Sequence, residues 1–98
     1  MDNRVKVRYL GLVQNAIGVK EEDITVPNGA SVGELLRALL VKHGDGFRYS
    51  VLRTDGALRP PARVLVDGLD IKDLDGLDTK VTEKGVAIVV IVDPLEGG

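Results

Sequence analysis

The chain has no cysteine, no tryptophan and a single histidine among 98 residues. Without cysteine there is no disulfide, no thiolate-held zinc, no iron–sulfur cluster and no sulfur nucleophile. One imidazole, His43, excludes any site built from several. Aromatic side chains amount to 3%, namely Phe47, Tyr9 and Tyr49. That is too few for a base-stacking platform, and no basic patch interleaves with them, so nucleic acid is not an expected partner. The longest uninterrupted apolar run, residues 86–92, is seven long. A helical membrane span needs about 20 residues, so no membrane association is expected. The sequence opens Met1-Asp2-Asn3-Arg4 without an apolar stretch, which argues against a secretory signal and makes the cytoplasm the expected compartment.

What is present is the make-up of one soluble domain: 44% apolar and 29% charged residues, with a net charge of −2. The charge is unevenly spread. Residues 64–98 carry Lys72, Lys80 and Lys84 against eight acids, from Asp67 to Glu96. Solubility is the plainer reading of that bias, and a basic protein partner its rival.

Charge and apolarity alternate over Arg4-Val5-Lys6-Val7-Arg8-Tyr9-Leu10, predicting a strand with Val5, Val7 and Tyr9 inward. After a turn between Gly11 and Gly18, residues 20–26 predict a second strand with Ile24 and Val26 on the core side. Pro27-Asn28-Gly29 closes this hairpin. Ser31-Val32-Gly33-Glu34 has capping-box spacing, and Val32, Leu35, Leu36, Leu39 and Leu40 behind it form one apolar stripe. A helix of about 13 residues follows, ended by Gly44 in a left-handed conformation. Residues 45–62 predict mostly loop, with a small hairpin at Asp55-Gly56 and Arg59-Pro60-Pro61 as a stiff extended connector. Residues 62–66 predict a strand with a turn at Asp67-Gly68. Residues 69–85 are turn-rich, with Ile71, Leu74 and Leu77 as core anchors. The apolar run 86–92 predicts a central strand beside a parallel neighbour, ended by Asp93-Pro94.

These elements assemble economically as an α+β fold, a ubiquitin-like β-grasp: a mixed sheet of four to five strands on one main helix. Residues 1–92 make the domain and residues 93–98 an exposed tail, Asp93-Pro94-Leu95-Glu96-Gly97-Gly98. Two glycines make the α-carboxylate the tip of a thin probe that can enter a narrow channel. A carboxylate is a poor electrophile until activated, and transfer of adenylate from ATP is the expected activation. No G-x-x-x-x-G-K-[ST] occurs in the chain, so the activating enzyme is expected to be a separate protein.

The capped helix, Val64-Leu65-Val66-Asp67-Gly68-Leu69-Asp70-Ile71, Leu74-Asp75-Gly76-Leu77-Asp78-Thr79, the apolar last strand and Gly97-Gly98 together resemble the ubiquitin-like sulfur carriers. Within that group the chain is most similar to the small subunit of molybdopterin synthase and to the small archaeal modifier proteins, over nearly its whole length. The resemblance implies that Gly98, presented by Gly97, is adenylated by an E1-like enzyme and converted to a thiocarboxylate. That species donates sulfur in molybdopterin (molybdenum cofactor) biosynthesis, with a large synthase subunit as partner, or gives way to an isopeptide bond with a target lysine. Pro94, Leu95 and Glu96 become the partner-binding part of the tail. The chain itself is then not an enzyme and needs no cofactor or metal. Two features depart from the synthase-subunit pattern: Val92-Asp93-Pro94-Leu95-Glu96 replaces the usual aromatic and Pro-Pro-Val-x before Gly-Gly, and Gly85-Val86 replaces a Gly-Asp turn.

Other features have plainer readings. Asp73-Leu74-Asp75-Gly76 resembles part of a calcium loop, but the first and last loop positions would be Ile71 and Thr82, which supply no carboxylate. His43 in the last helical turn suits the helix dipole, with no partner acid evident for catalysis. Arg4, Lys6 and Arg8 form a solvated strand face or, alternatively, a docking surface for an acidic partner. A β-grasp interaction module with an inert tail is the alternative from another functional class. An independent enzyme ranks last, for want of a nucleophile–base pair or metal cluster.

Overall fold

A computed structural model describes residues 2–81 and 87–92. The alternating segment forms β1 (Asp2–Gly11), with Val5, Val7 and Tyr9 buried and Arg4, Lys6 and Arg8 exposed. A short helix, α1 (Leu12–Ile17), makes the turn, and β2 (Glu21–Pro27) returns antiparallel to β1 with Val5 opposite Ile24. Helix α2 (Val32–His43) starts with a complete capping box. The Ser31 Oγ accepts from the Glu34 amide at 3.2 Å, and the Ser31 amide donates to Glu34 Oε1 at 3.4 Å. A further amide at that end, Val32 N, donates to the Thr79 carbonyl at 2.8 Å, so residues 79–81 clamp the helix start. Val32, Leu35, Leu36 and Leu39 are buried against the sheet.

Strand β3 (Ala62–Val66) and the two-residue β4 (Leu69–Asp70) form a tight hairpin. Asp67 and Gly68 both have positive φ there, 51° and 87°, as a primed turn requires. Strand β5 (Ala87–Val92) lies between β1, its parallel partner, and β3, its antiparallel one, giving the sheet order β2-β1-β5-β3-β4. First and last strands side by side and parallel, with α2 across one face, make this the expected β-grasp. Ile88, Val90 and Val92 join Val5, Val7, Tyr9, Val64 and the α2 leucines in one core.

Five expectations are corrected in whole or in part. Residues 11–18 are not a plain turn but carry α1, whose Val13 is fully buried. Residues 45–62 are not loop from their start: α3 (Asp45–Val51) follows α2 directly and buries Phe47 and Val51, and residues 52–61 are the irregular part. The break between α2 and α3 is Gly44, whose φ of 70° is positive as expected but whose ψ of −142° lies outside the left-handed helical region. The Arg59-Pro60-Pro61 segment is a turn rather than an extended connector, with a cis Pro60-Pro61 bond and the Ala62 amide donating back to the Arg59 carbonyl. Leu74 is 39% exposed and does not anchor the core, because the 3-10 turn Ile71–Asp73 ends before it and Leu74, at φ −116° and ψ −135°, leaves the helical path that would have kept it on the face of Ile71. Val81, fully buried, supplies an anchor in its place, and Leu77 packs partly buried against the core. The Asp55-Gly56 hairpin is present in miniature, as a Leu52–Leu58 bridge with the Arg53 amide donating to the Ala57 carbonyl.

Candidate functional site

The residues that carry the expected chemistry, Gly97 and Gly98, and the tail residues Pro94, Leu95 and Glu96, lie outside the described residues, as do Asp93 and residues 82–86. The frame that holds them is described. Val92 ends the central strand and is paired on one side with Gly11 and on the other with Ala62. A strand bonded along both edges fixes the point from which the chain continues into residue 93 far better than an edge strand would. Beside Val92, Leu12 of α1, Tyr49 of α3, Arg59, Pro60 and Pro61 line an open groove of about 320 Å³. Leu12 is 44% exposed and Tyr49 59% exposed, both high for apolar-bodied side chains.

The sheet face turned away from α2 mixes charged and apolar residues. On β1, Arg4, Lys6 and Arg8 stand opposite Thr25, Asp23 and Glu21 of β2, and Lys6 Nζ lies 3.3 Å from Glu21 Oε2. Lys6 and Arg8 therefore face acids of their own sheet at the β2 side, while Arg4 faces Thr25. Toward β5, Val89 lies between Arg8 and Leu65, and Ile91 between Leu10 and Arg63. A larger groove, about 500 Å³, runs between α2 and the 52–57 turn. Its apolar floor includes Leu36, Leu40 and Leu52, and its rim mixes Arg37 with Asp55 and Asp78.

Sequence reasoning missed a buried polar junction. His43 does have a partner acid: its Nε2 lies 2.6 Å from Glu22 Oε2, and the Tyr9 hydroxyl donates to the same oxygen at 2.5 Å. Lys42 Nζ sits 2.5 Å from the other oxygen, Oε1. The His43 ring meets Tyr9 edge-on and stacks near Phe47, with centroids 6.1 and 6.4 Å apart. Burial by itself would raise the Glu22 carboxyl, but the bonds from Lys42, Tyr9 and His43 outweigh it and hold the group below its ordinary range. Burial first, and then the neighbouring carboxylate, push the Tyr9 phenol far above its usual value. The signal was available: Glu22 shares the parity of Ile24 and Val26 and therefore had to face inward.

This junction ties β1 and β2 to the end of α2. Neither groove described above is lined by any of its members. The Ser31 and Ser50 hydroxyls are engaged with Glu34 and the Gly46 carbonyl, and that of Thr79 accepts from the Asp75 amide. Among the described residues no hydroxyl is paired with His43, so the arrangement acts as a structural tie between elements.

Comparisons with known proteins agree with this architecture. The ThiS family pattern matches residues 7–98. Small archaeal modifier protein 3 of Haloferax volcanii is 30% identical over 94 residues, covering 96% of this chain and 98% of that protein. Among solved structures, the Haloferax volcanii HVO 2177 protein superposes with a TM-score of 0.80 at 29% identity, covering 99% of this chain and 88% of that one. SAMP1 from Haloferax volcanii gives 0.81 at 23% identity, over 98% of this chain and 100% of that one. The chain belongs to the ThiS family, among the ubiquitin-like β-grasp sulfur carriers and small modifier proteins.

Proposed function

We propose that this protein is a carrier whose working group is the Gly98 carboxylate, carried on residues 93–98 beyond a folded domain of residues 1–92. A separate E1-like enzyme activates it: a carboxylate oxygen attacks the α-phosphorus of ATP, pyrophosphate leaves, and an acyl-adenylate forms. Hydrosulfide from a sulfur donor then attacks the carbonyl, the C–O bond to AMP breaks, and loss of the sulfhydryl proton leaves a thiocarboxylate. The protein supplies the acyl group and its presentation, and is not itself the catalyst. The observation that carries this reading is the family match, which runs from β1 through Gly97-Gly98. The central, doubly paired β5 supports it by giving the tail a fixed base.

With molybdopterin precursor as acceptor, a large synthase subunit would take the tail into its channel. Asp93 and Glu96 would need basic or solvated surroundings there. The second reading is conjugation of the same carboxyl to target lysines. It is favoured by the 30% identity to a protein named as a small archaeal modifier. One activated intermediate serves both uses, since either sulfur or an amine can attack it.

The absence of cysteine makes the test clean. The protein is purified from its own cells, treated with a thiol alkylator and sequenced from the C-terminus by fragmentation mass spectrometry. An adduct on Gly98 reports a thiocarboxylate. No adduct after incubation with E1-like enzyme, ATP and a sulfur donor sinks the sulfur role. Branched peptides carrying the C-terminal residues on lysine then identify the modifier role.

A further inference from the structure

Any enzyme that acts on Gly98 must come close to Val92, because residues 93–98 span at most about 20 Å fully extended. The groove beside Val92 lies within that reach. Its walls combine the apolar bodies of Leu12, Tyr49, Pro60, Pro61 and Val92 with the polar Ser50, and its lining carries one formal charge, Arg59. A second cation, Arg48, does not line the groove but lies over one of its walls, its guanidinium 5.1 Å from the Tyr49 ring centroid. No acidic residue lines the groove, and neither arginine is ion-paired among the described residues. Of the β1 cations, Lys6 is already matched by Glu21, and none of the three lines this groove. At about 320 Å³ the groove is at the lower limit for a small-molecule site but has room for one or two side chains. The larger groove beside α2 has neither property, for its rim mixes both signs of charge and does not adjoin β5.

We propose that this groove is a docking site for the tail-activating enzyme, and that its occupant is an enzyme segment presenting an apolar side chain next to a carboxylate. The apolar side chain seats between Tyr49 and the Pro60-Pro61 turn, and the carboxylate meets Arg59. Aromatic and arginine residues around a small apolar pocket are the usual make-up of an interface hot spot. The site lies at the base of the tail and so sets the direction in which residues 93–98 enter the enzyme. This inference rests on the adenylation reading above.

The test pairs a kinetic assay with a binding assay, using the full chain and its own E1-like enzyme. Pyrophosphate exchange is measured for wild type, Arg59→Glu, Tyr49→Ala and, as a control on an exposed α2 position, Val41→Ala. Backbone amide spectra verify that each variant is folded, which the exposure of Tyr49 and Arg59 favours. Arg59→Glu and Tyr49→Ala are expected to raise KM for the carrier about tenfold or more while kcat holds within about twofold, and Val41→Ala to change neither. Titration with enzyme is expected to shift the Leu12, Tyr49 and Ser50 amides. Robust exchange with unchanged KM in both groove variants overturns the groove and leaves the adenylation reading intact. Shifted groove amides without any exchange, even in wild type, uphold the groove and sink the adenylation reading. Neither shifts nor exchange overturns both.

Discussion

His43 Nε2 lies 2.6 Å from Glu22 Oε2, which fastens the last turn of α2 to the second strand of the sheet. The same carboxylate takes the Tyr9 hydroxyl and the Lys42 ammonium, so one acid joins β1, β2 and α2. Its oxygens are mostly buried and fully engaged, which is the condition under which a polar group inside a core stabilises rather than costs.

Replacing that acid removes charge-assisted bonds from a site with little solvent. Glu22→Gln is expected to lower stability at neutral pH by about 2 kcal/mol, the Lys42 bond adding little because Lys42 is half exposed. The folded carboxyl titrates below its ordinary 4.5, so its contribution is present above that pH and is lost as pH falls beneath it. The stability gap between wild type and Glu22→Gln should therefore narrow in the acid range. Urea unfolding of both proteins from neutral pH to about pH 3 measures it. A gap that stays constant throughout would show that another group governs the acid limb.

The alkaline side follows from Tyr9. Its folded phenol is held neutral far above the ordinary value of 10.0, so folding loses free energy as pH rises past that value. Tyr9 phenolate absorbance is expected to appear only together with loss of the fold. A Tyr9→Phe variant separates its signal from that of Tyr49. Ionisation of Tyr9 in a protein whose circular dichroism remains native would contradict the buried Tyr9–Glu22 bond.

Where α3 crosses α1, the backbones come unusually close. A Cβ built on Gly46 would stand 2.9 Å from the Ala16 carbonyl oxygen, a contact only a backbone shift can relieve. Gly46→Ala gains helix propensity of about 0.5–1 kcal/mol, but overpacking costs about 1–3 kcal/mol. A net loss of about 1 kcal/mol is expected, lowering Tm by about 4–8 °C. Tyr49 and Ser50 are on the same short helix, so amide shifts spreading from α1 into those residues would report the displaced helix directly.

The parts legible in the sequence were those whose pattern was local and periodic. Val5, Val7 and Tyr9 alternate with cations, Ser31 and Glu34 carry their own capping geometry, and residues 86–92 are apolar without a break. Helix α3 was hidden because only Phe47 and Val51 mark its buried side and no side chain caps its start. Its position depends on Gly46 fitting against Ala16, a contact between segments with no shared pattern. The Glu22 junction was half legible, since strand parity pointed the acid inward but nothing local named Tyr9, Lys42 and His43 as its partners. The groove beside Val92 was not legible, for Leu12, Tyr49, Arg59 and Val92 come from four separate segments that only the tertiary fold unites.

The proposed division between fold and working end makes a last prediction. Among the described residues the ladder of β5 runs as far as Val92, paired with Gly11 and Ala62, and the core cluster is composed of residues from Val5 to Val92. Deleting residues 97–98 is therefore expected to leave Tm within about 2 °C, well under the shift of a 1 kcal/mol core defect. The same deletion should abolish both the alkylatable C-terminus and any lysine-linked product. Extending the chain past Gly98 by a single bulky residue should do likewise, because the carboxyl then sits behind a Cβ that a narrow channel excludes. Retention of either product by the truncated protein would place the reacting group elsewhere in the chain. A large drop in Tm would show instead that the two glycines belong to the folded domain.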